Sequence, residues 1–269
     1  MTIAATHDAG AVLVTGASAG IGAAFARAYA ARGKTLVLTA RRGDRLRALA
    51  AALAPTRCEV IEADLAARDA PGWIQEQIAQ RGLVIDTLIN NAGYGVTGSF
   101  SSRDWHTHAE FLQVMIASAG ELTHRFLPGM SERGFGRVIN VASIAGLVPS
   151  SAGHTLYAAS KSFLIRFSES LALELAGTGI HVCALCPGFT WTEFHDANGM
   201  RSRMGHMPRW LWQSAEAVVD EGIEAVERGR SRHVSGAVNR VIVSAFKHLP
   251  RPLANAMIRR QSPGFRDAQ

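Results

Sequence analysis

Two rhythms of hydrophobic residues alternate along the chain. The first is a short, nearly unbroken apolar run, as in "AVLVTG" from Ala11, "KTLVLTARR" from Lys34, "CEVIEADL" from Cys58, "LVIDTLINNAG" from Leu83, "GRVINVAS" from Gly136 and "IHVCALCPG" from Ile180. Runs this short and this rich in Val, Ile and Leu predict strands covered on both faces. The second rhythm is helical. "GIGAAFARAYAARG" follows the first strand, "GDRLRALAAAL" the second and "PGWIQEQIAQRG" the third. A long helix is predicted from about Arg103 to Met130, with Gly120 and Pro128 as the places for an interruption. "HTLYAASKSFLIRFSESLALELAG" and "SAEAVVDEGIEAVERG" are two more helices, and "SRHVSG" a short last strand. Strands alternating with helices imply parallel strands joined by right-handed crossovers, hence an α/β doubly wound parallel sheet.

No fixed-period repeat and no low-complexity tract divides the 269 residues, so the expectation is a single domain over 1–269. From about Thr190 the pattern becomes irregular and rich in Met and Trp, which marks a substrate loop at about 190–213, and the chain ends in a basic tail.

Composition narrows the classes. With 48% hydrophobic residues the chain has material for a large core. The first residues lack a charged segment followed by an apolar run, so no secretion signal is expected, and no stretch of about 18 apolar residues suggests a membrane span. The three cysteines, Cys58, Cys183 and Cys186, fit no disulfide framework, and a reducing cytoplasm is the expected compartment. Cys183 and Cys186 form a C-x-x-C, but residues three apart on a strand point to opposite faces, so core filling is preferred to zinc and no metal is expected. The net charge of +6 comes from arginines scattered through the chain, with no nucleic-acid motif; a phosphorylated small molecule is the better partner.

The chemistry starts at "TGASAGIG", Thr15 to Gly22, where the first strand meets the first helix. Gly16, Ser18, Gly20, Ile21 and Gly22 make a turn whose backbone amides can approach a pyrophosphate at a helix N-terminus. About twenty residues on, an NAD site would carry an acidic residue. Here Arg41 and Arg42 follow the second strand instead, and guanidinium groups suit a 2′-phosphate, so NADP(H) is preferred to NAD(H), with Arg41 as first contact. A rotated loop presenting Asp44 is what would reverse that preference.

"TGASAGIG", "NNAG" at Asn90 to Gly93, and Ser143 followed by Tyr157 and Lys161 in "YAASK" occur in one order, and together they resemble the short-chain dehydrogenase/reductase family over roughly residues 11–192. The resemblance implies a catalytic Ser143, Tyr157 and Lys161. It also implies cofactor contacts from Asp64, from Asn91, Ala92 and Gly93, from Tyr157 and Lys161 themselves, and from Pro187, Gly188, Thr190 and Thr192. The chemistry agrees. A carbonyl accepting a hydride needs a proton, a tyrosine with a pKa near 10 holds one too tightly, and an ammonium one helical turn away should lower that pKa. Ser143 would donate to the substrate oxygen as its charge grows.

One departure stands out. The asparagine that many family members carry in the helix after "NNAG", where it helps hold a relay water, falls on Met115 here. The backbone carbonyl of Met115, Ser118 and His154 are the candidates to replace it. Around the site, Tyr94, His154 and Trp210 are candidate substrate residues, and the Met- and Trp-rich loop favours a lipophilic ketone or aldehyde, reduced reversibly to the alcohol. The family resemblance implies a homodimer or homotetramer. The tail could close the pocket or support a subunit contact; its proline-broken pattern makes a membrane surface the weakest reading. A redox sensor with little turnover, or an epimerase on the same scaffold, remain alternative functions.

Overall fold

The computed structural model describes residues 10–96, 98–149, 152–153, 155–192 and 208–249. Nine strands alternate with helices among them. β1 (Ala11–Thr15), α1 (Gly20–Ala30), β2 (Leu36–Ala40), α2 (Gly43–Ala52), β3 (Cys58–Glu62), α3 (Ala70–Gln80) and β4 (Ile85–Asn90) make the first half. The second half runs through α4 (Trp105–Leu112), α5 (Ser118–Arg133), β5 (Gly136–Val141), α6 (Thr155–Glu174) and β6 (Ile180–Cys186). It closes with β7 (Phe189–Thr190), β8 (Trp212–Gln213), α7 (Ala215–Glu227), β9 (Arg232–Val234) and α8 (Ala237–His248).

Seven strands form one parallel sheet in the order β3-β2-β1-β4-β5-β6-β9. The chain leaves β1 in one direction along the sheet and returns on its other side at β4, and this reversal opens a crevice at the strands' carboxyl ends. The unbroken apolar runs are explained by cover on both faces. Val12, Val14, Leu36, Leu38, Ile139 and Leu185 pack with α1 and α7 residues on one side. Leu13, Val37, Leu88, Val138 and Val182 pack with α3 and α5 residues on the other. β6 sends Cys183 into the first cluster and Cys186 into a different one beside Leu164 and Ile165 of α6. The two thiols thus serve opposite faces, as period-two geometry requires.

The long helix differs from expectation. It breaks neither at Gly120 nor at Pro128, but at a π-helical turn, Gln113–Ala117, between α4 and α5. Pro128 continues the helix because it and His124, whose carbonyl it leaves without an amide partner, are both exposed, where water can replace the lost bond. Two features were not expected at all. β7 and β8 pair in parallel as a separate two-stranded ribbon, Phe189 opposite Trp212 and Thr190 opposite Gln213. The start of the tail is a regular helix, α8.

Candidate active site

The crevice is lined by the ends of β1, β4, β5 and β6. Gly16 and Gly20 take φ of +65° and +56°, which glycine adopts without strain. Gly16 also has no room for a side chain, since a Cβ there would lie 2.8 Å from the Cα of Ala92. Ile21 packs half-buried against the core cluster under α1, and a Cβ on Gly22 would strike the carbonyl oxygen of Gly16. The two loops are strapped together by Thr15, a residue that is not among the sequence candidates. Its hydroxyl donates to Ile89 O at 3.1 Å and accepts from the amides of Asn91 and Ala92 at 2.9 and 3.0 Å. Asn91 Nδ2 donates in turn to Thr15 O at 2.9 Å. Asn91 is therefore a strut between the loops.

These residues suit a dinucleotide. Helix α1 begins after Ala19, which caps it with no side chain, and its first turn holds no acidic residue, so its amides and dipole are directed at an anion without competition. Arg42 reaches this loop, donating from Nε and Nη2 to Ser18 Oγ at 3.2 and 3.0 Å. Arg41, the expected first contact of a 2′-phosphate, is exposed nearby, and its charge acts on Tyr94. Asp44 lies in the first turn of α2, where a carboxylate complements the helix dipole. Asp64 follows β3 and accepts from the amide of Ala66 at 3.0 Å.

The candidate catalytic groups converge at the ends of β5 and β6. Ser143 starts a 3₁₀ turn, Ile144–Gly146, and its hydroxyl accepts from Ala145 N at 3.1 Å. Pro187 O holds this turn by accepting from Ile144 N at 3.0 Å. Gly146 lets the turn touch α6: a Cβ there would stand 2.7 Å from the backbone of Lys161 and Ser162, and Ser162 Oγ donates to Gly146 O at 2.9 Å. Across this contact the Ser143 side chain acts on the Tyr157 phenol, favouring its ionised form. Lys161 shares the face of Tyr157, its Nζ 5.7 Å from the ring centroid, and donates to Val141 O at 2.7 Å.

Electrostatics depart from expectation. Burial pushes the Tyr157 phenol up to about 12, and the Ser143 side chain pulls it back only in part. Burial also brings Lys161 down to about 8, opposed by the nearby Cys186 thiol. In the chain by itself the phenol is thus raised, not lowered: burial dominates, and the Lys161 ammonium is bonded to Val141 O.

The remaining candidates fall as follows. Gly188 abuts the amide of Asn239, Thr190 is buried with its hydroxyl donating to Gly188 O at 3.2 Å, and a Cβ on Gly20 would meet Thr192 at 3.1 Å. The glycine loop and the segment after β6 therefore close on each other. Gly93 lies under Met115, whose sulfur would be 2.8 Å from a Cβ there. Ser118 is engaged elsewhere, donating to Leu65 O at 2.9 Å, which leaves its hydroxyl committed away from the relay position. Tyr94 lies on the Asp64 side: its ring meets Phe111 edge-on at 5.5 Å, and burial raises its phenol, with Glu110, Arg41 and Asp64 close enough to act on it. Trp210 is exposed, in the turn leading into β8. His154 lies outside the described residues, as do Met200, Met204 and Met207. Among the described residues no cluster could hold a metal, and no helix is long and apolar enough to cross a membrane.

Comparison with known proteins agrees with this architecture. The family model described as short chain dehydrogenase matches residues 10–201. Sulfoacetaldehyde reductase 2 of Chromohalobacter salexigens is 37% identical over 190 residues, 68% of this chain and 73% of that protein. A short-chain dehydrogenase from Sphingobium yanoikuyae, solved with NADPH, superposes with a TM-score of 0.75 at 28% identity, covering 90% of this chain and 96% of its own. A 7β-hydroxysteroid dehydrogenase structure gives a TM-score of 0.82 at 25% identity, covering 93% and 96%. With a crevice suited to a nucleotide cofactor and a small-molecule substrate, this oxidoreductase belongs to the short-chain dehydrogenase/reductase family.

Proposed function

We propose that the chain is an NADP(H)-dependent carbonyl reductase, reversible as an alcohol dehydrogenase, acting on a lipophilic ketone or aldehyde. The observation that carries the reading is the convergence of Ser143, Tyr157 and Lys161 at the crevice, with Ser143 acting on the Tyr157 phenol and Lys161 Nζ 5.7 Å from its ring. Bound nicotinamide supplies the hydride. Ser143 donates a hydrogen bond to the carbonyl oxygen and holds it against Tyr157. Tyr157, protonated through the neutral range, delivers the proton to that oxygen as charge develops. Lys161, held by Val141 O, orients the cofactor ribose and supplies positive charge behind the phenol. Gly188, Thr190 and Thr192 hold the nicotinamide end, and Gly16 to Gly22 the pyrophosphate.

The NADP(H) preference is supported by Arg42 on Ser18 and by the absence of a carboxylate at Thr39 and Ala40, where β2 ends. Glu62 comes close to this corner, but Arg47 lies 3.6 Å from its carboxylate and offsets its charge. Lipophilic substrates are supported by the aromatic surface on the ribbon after β6. Trp191 stacks on Trp212 at 4.3 Å, and Trp212 lies 5.5 Å from Phe189. The three free cysteines fit a reducing, cytoplasmic setting, and the exposed Phe163 and Leu173 on α6 offer an apolar face for a homodimer or homotetramer.

The test is nicotinamide oxidation with NADPH and with NADH over a panel of aryl ketones, long-chain aldehydes and sulfoacetaldehyde, the substrate named for one relative. Turnover of lipophilic carbonyls with NADPH is expected, with Tyr157→Phe lowering it at least about a hundredfold and Arg42→Ala narrowing the NADPH advantage. Preference for sulfoacetaldehyde would overturn the substrate class, and cofactor binding with no turnover would favour a sensor.

A further inference from the structure

We propose that Asn239, on the C-terminal helix α8, is a positioning residue for the nicotinamide half of the cofactor site. The proposal rests on the reading of Pro187–Thr192 as the segment that holds the nicotinamide.

Helix α8 is a surface helix, and Asn239 is the one residue it fully buries among those described. A buried amide is costly unless its hydrogen bonds are made. Here they are made to the turn before α8 and to Gln213 of the ribbon. Asn239 Nδ2 donates to Ser235 O at 2.8 Å and lies 3.1 Å from the amide of Gln213. The Asn239 amide also lies flat on Gly188: a Cβ at Gly188 would come within 2.3 to 2.6 Å of its Oδ1, Cγ and Nδ2. Only a glycine accepts that approach, so the amide sets how far the Gly188 backbone can move.

A second route reaches the same segment. Gln213 sits on β8 opposite Thr190, and its carbonyl accepts from Trp191 N at 2.9 Å. In one orientation its side-chain amide accepts from Ser235 Oγ at 3.0 Å; turned over, it donates to Ser235 O at 3.1 Å and accepts from Gly236 N at 3.2 Å. Either way it is bound to the turn before α8. That turn is anchored by Glu221 of α7, which accepts from Gly236 N at 3.0 Å, Arg240 Nη1 at 3.1 Å and, across 2.8 Å, pairs with His233 Nε2. Asn239 thus fixes Gly188 by contact, and Thr190 and Trp191 through Gln213. These bonds bear on Gly188, Thr190 and Trp191, and none of them is made to the Gly16–Gly22 turn or to Arg42, so their loss should be felt mainly at the nicotinamide end.

The experiment measures binding of NADPH and of 2′,5′-ADP, which has the adenosine half and no nicotinamide, by titration calorimetry on the full chain. For Asn239→Ala we expect NADPH to weaken about tenfold, the equivalent of a hydrogen bond or somewhat more, with 2′,5′-ADP within about twofold of wild type. Asn239→Asp keeps the shape but faces Ser235 O with an acceptor, and it should fail as the alanine variant does. Gln213→Ala should act in the same direction, and it decides the question should Asn239→Ala not fold. Equal weakening of both ligands, or of neither, overturns the proposal. A wild-type chain that binds neither NADPH nor NADH would instead sink the reading of the site itself. Should it take NADH, the same comparison is made with NADH and ADP.

Discussion

At the scale of single residues, the pair that matters most is Tyr157 and Lys161, and their shifts set a direction for the chemistry. A phenol pushed up to about 12 keeps its proton throughout the neutral range, as the proposed role of Tyr157 as acid in reduction requires. Oxidation of the alcohol needs the phenolate, whose fraction grows about tenfold per pH unit below that pKa. Lys161, brought down to about 8 by burial, is charged below that pH and loses its charge above it. Initial rates in both directions, taken with saturating cofactor between roughly pH 6 and 10, should therefore diverge. Reduction should be flat at low pH and fall above about 8, with the loss of the lysine charge. Oxidation should climb from the acid side. A reduction rate that rises with pH across this range would show that another group donates the proton. Much of this site was legible as residue types at fixed spacings, because a glycine turn and a tyrosine one turn from a lysine are local patterns. Thr15, Gly146, Gln213 and Asn239 were not legible, because each acts across the fold: Asn91 meets Thr15 from 76 positions away, and Asn239 meets Gln213 from 26.

At the scale of elements, the strands and most helices were readable because burial on both faces writes itself into unbroken apolar runs. The long helix was misread at one point for a physical reason. Gly120 and Pro128 are weak helix formers taken alone, yet the interruption falls at Gln113–Ala117, where nothing in local propensity calls for it. Packing decides there. Met115 is almost fully buried in the π-helical turn, with its sulfur over Gly93 beside the cofactor loops. π-Helical turns are often found at functional sites, and this one stands where the family resemblance places the relay asparagine. If the turn rather than the side chain shapes the relay, exchanging the side chain should disturb stability more than catalysis. Met115→Asn should cost about 2 kcal/mol, from lost apolar contact and a newly buried amide, while turnover stays within about tenfold of wild type or rises. Met115→Leu, closer in volume, should cost under about 1.5 kcal/mol. Denaturant melts paired with carbonyl-reduction rates check this; collapse of turnover in a well-folded Met115→Asn protein would mean the thioether itself belongs to the working site.

At the scale of the whole molecule, two of the polar networks among the described residues brace the apolar layers around the site. One runs inside them: Asn90 Nδ2 donates to Asn140 Oδ1 at 2.8 Å and to Thr123 Oγ1 at 3.1 Å, and Asn140 Nδ2 donates to Ser168 Oγ at 2.8 Å. It ties α5 and α6 through β4 and β5, beneath the reacting groups. The other is centred on Glu221 and ties α7 to β9, α8 and the ribbon after β6. The second hides from sequence reading, since "DEGIEAVERG" and "SRHVSGAVNR" look like ordinary helix surface and turn. Its charge makes it testable by pH. Burial pushes the Glu221 carboxyl up, but hydrogen bonds from His233 and Gly236 N, with the charges of His233 and Arg240, outweigh that and hold it below its usual value of 4.5. A carboxyl whose pKa is lower folded than unfolded stabilises the protein fully above its unfolded value and loses that contribution as the pH falls through the folded one. The group is partly exposed, so its share is set at about 1 kcal/mol, worth about 2–4 °C of melting temperature in a chain of this size. Glu221→Gln should therefore melt about 2–4 °C below wild type at pH 7, and the two curves should converge on acidification below the ordinary glutamate range. Thermal melts at a series of pH values decide the matter. A gap that persists undiminished in acid would mean that packing at Glu221, and not its charge, braces the C-terminal half against the sheet.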